Sequence, residues 1–486
     1  MAGIGFELKK LFDQKGVFAL LKAYGYAGVI CTGPMILGMT LLLGVNAISV
    51  ASGLPKDDRD FLTSMITYTL LLSMTITNVL GMVVTRYVAD CLYSDKQNKI
   101  MPAFYGSVSI MMVIGSVVFS LFLLISGVPF SYAFLLFLFL EELIVAWTQM
   151  NFLTAIKDYK GLLKAFSMAL VIGLGSAWVL TCLLHLPIIS TLLSCMCIAY
   201  GIMIVWYHAM LRQFFPDSKG SRLEFLGCFE TYTSLIGCGV FMNIGLYGHL
   251  IVMWGSPIGV HIQGPFYAAP QYDVPALVAF VSTLVSTINF VTSVEVNFYP
   301  KYRTYYSLFN NDATLNDIEQ AEKEMRLVLQ DELSYNSAKQ VFVTIMFIVL
   351  GTIILPLLPL GFNDEMLGIF RVLCLGYAFY AIGNSIMLMS LYFADEFGAF
   401  VSTFAFAIVS IVATIFSQLL PVQYYGFGFV IGAFVYMLVA LVRLMYFIKR
   451  LKYYVLSTQP LVVKEKDGLF TKIAKYYVEK KEGEGE

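Results

Sequence analysis

Long apolar segments recur along the whole chain and leave little of it for a soluble core. A transmembrane α-helix needs about 20 apolar residues, and twelve segments reach that length. Hydrophobic residues make up 59% of the chain and charged residues 13%, whereas soluble domains have about 25% charged residues. The pattern predicts an all-α polytopic membrane protein and excludes a soluble domain. The predicted spans are 24–50, 61–84, 103–126, 130–156, 162–184, 188–210, 226–254, 273–296, 337–360, 366–391, 399–420 and 426–448.

Lysine and arginine lie almost entirely on one side of this predicted membrane. If both termini are cytoplasmic, 28 of the 31 lie in cytoplasmic segments, Lys56 and Arg59 lie outside, and Arg371 lies within a span. Cytoplasmic loops of membrane proteins carry an excess of these residues. We therefore expect cytoplasmic N and C termini and an even number of spans.

A polar, basic break after the sixth span divides the chain into halves with six spans each. Transporters are often built from two such repeated halves, although the halves of this chain do not align convincingly. The predicted units are an amphipathic N-terminal helix (1–22), a first six-helix lobe (23–211), a cytoplasmic inter-lobe linker (212–225), a second six-helix lobe (226–448, with the cytoplasmic segment 297–335) and a cytoplasmic C-terminal tail (449–486).

Within the segment 297–335, apolar residues recur at a helical spacing after Asn316. The pattern predicts an amphipathic helix with Asn316 as its cap. Two interpretations stay open: the helix rests on the bundle, or it docks a cytoplasmic partner.

Glu141 and Glu142 lie near the middle of an apolar span. A charged side chain at that depth costs about 2.5–3.5 kcal/mol on insertion scales. Such residues usually face the bundle interior or a wet cavity and mark a substrate or ion path. The alternative is a protonated or paired structural carboxylate. We expect the pair to lie on a transport path.

Other polar groups inside predicted spans extend this candidate path. Arg371 lies about five residues into the tenth span, where it lines a cavity or reaches back to the interface. Asn78, Asn243 and Asn289 lie in three hydroxyl-rich spans, which suits a hydrated route for a polar substrate such as a sugar. Serine, threonine and asparagine also serve helix packing.

The first span contains the pair Gly33 and Pro34. A Gly-Pro pair within a transmembrane helix produces a kink or a hinge, although close helix packing is an alternative reason for the glycine. We predict a hinge at this position.

No enzyme motif appears in the chain. The sequence has no Walker, zinc or Gly-x-Ser-x-Gly motif, so an ATP-binding transporter is excluded within this chain. The four histidines are scattered, and the cysteines do not have a metal-ligand spacing. We expect no metal, no cofactor and no catalytic residues.

Four stretches of the sequence are distinctive: the opening MAGIGFELKKLF, then AYGYAGVICTGPMILG, GSPIGVHIQGPFYAAPQYDVPALVAF and FYPKYRTYY. They resemble the PelG family of Pel exopolysaccharide transporters. That family is similar to the polysaccharide exporters and MATE-like flippases of the MOP superfamily, which have twelve helices in two six-helix lobes around a central cavity. The resemblance implies that fold here. It supplies no set of functional residues to transfer.

The resemblance also implies a function: translocation of a Pel-type amino-sugar polymer across the bacterial cytoplasmic (inner) membrane for the biofilm matrix. The implied partners are the polysaccharide, the lipid bilayer, a cytoplasmic PelF-like glycosyltransferase and PelD-like and PelE-like scaffold proteins, without nucleic acid. Three alternatives remain open: a lipid-linked oligosaccharide flippase, a MATE-type ion-coupled small-molecule antiporter, and a non-transporting scaffold for a glycosyltransferase.

Overall fold

The computed structural model describes residues 38–153, 159–216, 218–309, 313–358, 361–457 and 468–483. In this part of the chain, eleven helical segments are long and apolar enough to cross a membrane. The shorter apolar helix α1 (Gly38–Ala51) overlaps the predicted first span. The predicted all-α polytopic fold is confirmed. The predicted N-terminal helix (1–22) and the hinge residues Gly33 and Pro34 lie outside the described residues.

Helices α1 to α6 form the first half of the molecule. The five that follow α1 are α2 (Lys56–Tyr93), α3 (Ile100–Ser126), α4 (Phe130–Leu153), α5 (Tyr159–Trp178) and α6 (Ile188–Phe214). Helix α4 packs between α2, α3 and α6, and α5 packs on α6. Helix α5 continues into a π-helical turn at Val179–Leu183.

The second half begins with the short helix α7 (Gly227–Thr231) and the span α8 (Thr233–Trp254). A β-hairpin and seven helices follow: β1 (Val260–Gln263), β2 (Phe266–Ala268), α9 (Pro270–Val281), α10 (Thr283–Ser293), α11 (Tyr299–Leu308), α12 (Leu315–Ile354), α13 (Asp364–Tyr392), α14 (Glu396–Ser417) and α15 (Phe427–Lys449). Helix α14 packs against α8 and α15, and α13 packs against α9, α12 and α15.

Buried apolar side chains form separate clusters in the two halves. One cluster runs from Leu41 to Leu235 and also includes Phe266. A second runs from Cys238 to Tyr436. The two halves meet mainly where α2 packs on α8. The exact domain boundaries given above stay a prediction.

The predicted amphipathic helix of segment 297–335 is the start of a single 40-residue helix, α12, which continues into the membrane span. The predicted cap Asn316 is wrong. The cap is Thr314, whose hydroxyl accepts from the backbone of Asp317, while the Asp317 side chain accepts from the Thr314 backbone. This capping box satisfies two orphan donors, which Asn316 inside the first turn cannot do.

The polar beginning of α12 rests on neighbouring helices of its own chain. Met325 is fully buried in a third apolar cluster together with Tyr305 of α11. Ion pairs join Lys301 to Glu324 at 2.8 Å and Lys452 to Glu319 at 2.8 Å. Lys452 belongs to helix α16 (Leu451–Ser457). The helix therefore packs on the bundle, and docking of a partner stays a prediction.

The last described helix, α17 (Leu469–Gly483), returns to the beginning of the second half. The Glu230 carboxylate accepts from the backbone N–H of Gly468 at 2.9 Å and of Phe470 at 2.8 Å, and from the Thr471 hydroxyl at 2.5 Å. Ile473 packs against the cluster of the first half. A carboxylate at a helix N-terminus accepts hydrogen bonds from the free N–H groups of the helix and interacts favourably with the helix dipole.

Candidate functional site

A cavity between the two halves

A cavity of about 400 Å³ lies between α1 and α2 on one side and α8, α9 and the hairpin on the other. Its polar lining residues are Asn46, Asp60, Thr63, Ser64, Thr67 and Asp273, and its aromatic ones are Tyr68, Tyr247, Trp254, Tyr267, Phe280 and Tyr377. Among the described lining residues, the only charged ones are the two aspartates. The cavity therefore combines ring faces, hydroxyl groups and carboxyl groups.

Asp273 lies in the first turn of α9 and is held in place from two directions. Its carboxylate accepts from Trp254 Nε1 at 3.1 and 3.0 Å and from the Ala269 backbone N–H at 2.9 Å. An acidic residue in the first turn also interacts favourably with the helix dipole. These contacts fix the carboxylate at the edge of the cavity and orient the Trp254 ring.

Tyr68 of α2 joins three elements at the hairpin end of the cavity. Its ring stacks on Trp254 with the centroids 4.8 Å apart and on Phe122 at 5.9 Å. Its hydroxyl donates to the carbonyl oxygen of Tyr267 at 3.1 Å and accepts from the Tyr267 N–H at 3.0 Å. One side chain thus bonds the hairpin backbone and packs against both halves.

Two predicted residues, Asn78 and Asn243, meet between α2 and α8 farther from the hairpin than the cavity, and neither is among its lining residues. Asn78 Nδ2 donates to Asn243 Oδ1 at 3.0 Å, and Asn243 Nδ2 donates to the Gly239 carbonyl at 2.9 Å. A Cβ at Gly239 would clash with the carbonyl oxygen of Asn78. The backbones of α2 and α8 come into contact here, and the paired amides close the seam.

Predicted residues away from the cavity

Asn289 belongs to a different polar cluster, inside the second half. Its side chain donates to Asn336 Oδ1 at 3.0 Å and accepts from Lys339 Nζ at 2.7 Å. Asn336 also donates to the Ser385 hydroxyl at 3.1 Å. The cluster ties α10, α12 and α13 together, and Asn289 does not line the cavity.

Glu141 and Glu142 lie within the first half, and neither lines the cavity. Glu141 is 7% exposed and accepts from the Ser116 hydroxyl of α3 at 2.7 Å. Glu142 lies beside Gly201 of α6 and close to Cys197, whose thiol donates to the Leu135 carbonyl oxygen at 3.6 Å. The second oxygen, Oε2, of each carboxylate is buried without a hydrogen-bond partner among the described residues. Their role on a transport path stays a prediction.

Arg371 is exposed on α13, and its Nε donates to the Thr352 hydroxyl of α12 at 3.1 Å. It does not line the cavity. The structure thus brings Asn78 and Asn243 together and leaves the other described candidates in separate places.

Three of the best-placed cavity residues, Tyr68, Trp254 and Asp273, are missing from the predicted set. Asp273 opens the predicted span 273–296, and a carboxylate at a span boundary reads as an ordinary interfacial residue. Tyrosine and tryptophan near span ends read as the membrane belt. The sequence feature that could have identified Asp273 is its position between two nearby prolines.

Similarity to known proteins

The architecture is similar to that of solved MATE transporters. A MATE crystal structure in the straight conformation has a TM-score of 0.60 at 12% identity and covers 88% of this chain and 96% of the other. An outward-facing MATE transporter of the MOP superfamily has a TM-score of 0.57 at 13% identity, and the match covers 88% of this chain and 96% of that one. An inward-facing MATE transporter has a TM-score of 0.56 at 12% identity, and the match covers 89% of this chain and 100% of that one. The fold and its long apolar helices define a multi-pass membrane protein with a MATE-like architecture.

The chain belongs to the PelG family. The family model described as "Putative exopolysaccharide Exporter (EPS-E)" matches residues 1–456. No curated protein matches the chain.

Proposed function

We propose that this chain moves a Pel-type exopolysaccharide, an amino-sugar polymer, across the cytoplasmic membrane through the cavity between its halves. The observation that carries the proposal is the lining of that cavity: aromatic rings, hydroxyl groups and two aspartates on a MATE-like fold in a chain of the PelG family.

The lining suits sugar residues. Aromatic faces pack against the C–H faces of a sugar ring, and a few placed polar groups bind its hydroxyls. The carboxyl groups of Asp60 and Asp273 favour neutral or amino-bearing sugars, because they accept hydrogen bonds from hydroxyl and amino groups and disfavour an anionic cargo. The described lining contains no lysine or arginine, and this argues against a lipid-pyrophosphate carrier as the cargo.

Transport of a growing polymer requires its synthesis on the cytoplasmic side. We infer that the chain works in a synthase complex with a PelF-like glycosyltransferase and PelD-like and PelE-like scaffold proteins in the inner membrane. In this proposal both termini of the protein lie in the cytoplasm. The polar start of α12 and helices α11, α16 and α17 lie on the same side. The asymmetry of lysine and arginine supports this orientation.

A bulky side chain inside the cavity tests the proposal. Thr67 lines the cavity, and Thr67→Trp should abolish polymer secretion at normal membrane abundance of the protein, because the indole fills the route. The matched control is Ser109→Trp on the exposed face of α3, which should secrete normally. Normal secretion from Thr67→Trp would sink transport through this cavity and favour the scaffold alternative.

A further inference from the structure

The β-hairpin belongs to the second half in sequence but packs into the first half. Phe266 of β2 is 1% exposed and lies in the first apolar cluster. Its ring makes edge contacts with Phe61 at 5.6 Å and with Phe122 at 5.5 Å. A hairpin of two short strands is marginally stable alone, so these contacts hold it in place.

The hairpin tip is also fitted closely to the first half. Gly264 has φ +56°, a left-handed conformation that glycine adopts without strain. A Cβ built there would lie 2.5 Å from the carbonyl oxygen of Ser126 at the end of α3. Tip and helix end are therefore in direct contact.

The base of the hairpin remains fixed to the second half. It follows Trp254, whose indole is bonded to Asp273, and it leads directly into α9. Val260, Ile262, Tyr267 and Ala268 of the hairpin form one wall of the cavity. The hairpin therefore bridges the two halves at this end of the cavity.

We propose that the hairpin is a latch on the cavity. The second half carries it, and the first half holds it through the Phe266 site and the Tyr68 hydroxyl. When the halves separate at the hairpin end, the latch leaves the first half and the cavity opens there. Separation of packed bodies about a two-state contact is a common switching device. The proposal goes beyond the proposed function, since it concerns access to the cavity and requires no particular cargo.

The Tyr68 hydroxyl is the most sharply testable part of the latch. Tyr68→Phe keeps the ring that stacks on Trp254 and removes only the two bonds to the Tyr267 backbone. A second variant, Phe266→Ala, removes the buried anchor. The matched control is Tyr247→Phe. Tyr247 also lines the cavity, but among the described residues its hydroxyl donates only to Met74 Sδ, at 3.8 Å.

The readout is access to the cavity in the purified full-length chain in detergent. Thr67→Cys places a thiol in the cavity wall, and its labelling rate by a maleimide is followed by mass spectrometry of its peptide. Cys195 and Cys374, which are 1% and 0% exposed, should stay unlabelled if the variant is folded. We expect labelling to rise by at least about fivefold in Tyr68→Phe, because the loss of a single net hydrogen bond gives a shift of that size and this variant removes two. We expect at least about a fivefold rise in Phe266→Ala.

The latch is supported if the labelling rate of Thr67→Cys is higher in Tyr68→Phe or in Phe266→Ala than in Tyr247→Phe, while Cys195 and Cys374 stay unlabelled. Rates equal to the control in both variants would overturn it and leave the hairpin as a static brace. Because this readout needs no polymer, it is independent of the secretion experiment with Thr67→Trp.

Discussion

Asn78 and Asn243 bond to each other across the two halves of the molecule, with 3.0 Å between Nδ2 and Oδ1. The side-chain amide of Asn243 donates to the Gly239 carbonyl within its own helix. The pair therefore makes one hydrogen bond between the halves. A bond of this kind in a membrane protein contributes about 0.6 kcal/mol on average. A hydrogen bond this weak contributes to the contact between α2 and α8 but breaks readily.

The asparagine pair should show a small coupling energy. Asn78→Ala and Asn243→Ala are each expected to lower the free energy of unfolding, and the double variant should lose less than the sum, with a difference of about 0.5–1.5 kcal/mol. Denaturation in mixed micelles measures the cycle. Strictly additive losses would show that the two amides do not interact.

Gly239→Ala should be destabilising because the new methyl group clashes with the Asn78 carbonyl, a backbone atom that cannot rotate away. We expect a loss of about 1–3 kcal/mol, as for other overpacked sites. Gly175→Ala in α5 is the control, since a Cβ there has no atom within 4 Å. Its thermal stability should be unchanged or raised, because alanine favours helix. Equal stability of the two variants would contradict the close approach of α2 and α8.

Glu141→Gln together with Glu142→Gln should abolish polymer secretion at normal membrane abundance. The amide preserves the shape of each side chain and can still accept from the Ser116 hydroxyl, so a loss of secretion would report on the charge or the proton. Secreted polymer and a membrane blot measure the outcome. Normal secretion would mean that the pair is structural, held between α3, α4 and α6.

Docking of α17 should depend on pH through Glu230, which lies outside the spans. Hydrogen bonds from the Thr471 hydroxyl, with further bonds from the backbone N–H groups of Phe470 and Gly468, lower the pKa of this carboxyl from its usual value of 4.5. A lowered pKa in the docked state means that the ionised form stabilises docking. Docking is thus fully supported above pH 4.5 and is lost as the pH falls through the lowered value.

Hydrogen exchange of residues 469–477 measures this release. Protection should fall at acidic pH in the parent protein. In Glu230→Gln protection should be weak at every pH, since the amide carries no charge and cannot titrate. A pH profile of the variant identical to that of the parent would assign the dependence to other groups.

The apolar segments predicted the spans because burial in lipid is decided by the local sequence, and the two asparagines stood out because polar amides are rare in such segments. The hairpin at Val260–Ala268 was not predictable in the same way. Its stretch reads only as an uncharged connection, and its structure depends on Phe61, Tyr68 and Phe122, which lie far away in the sequence. Asp273 was missed for the same reason, since its partner Trp254 belongs to another element.

The position of Phe266 also bears on how the molecule is assembled during its synthesis. Chains fold from the N-terminus as they emerge, and the helices of the first half end at Phe214. Several side chains of its apolar cluster come from later in the chain; among them are Phe266 of the hairpin and, packed against the cluster, Ile473 of α17. In the half that leaves the ribosome first, the site of Phe266 stays unfilled until the hairpin is made, and the surface against which Ile473 packs stays uncovered until α17 is made. The half that is made first is therefore the last to be closed.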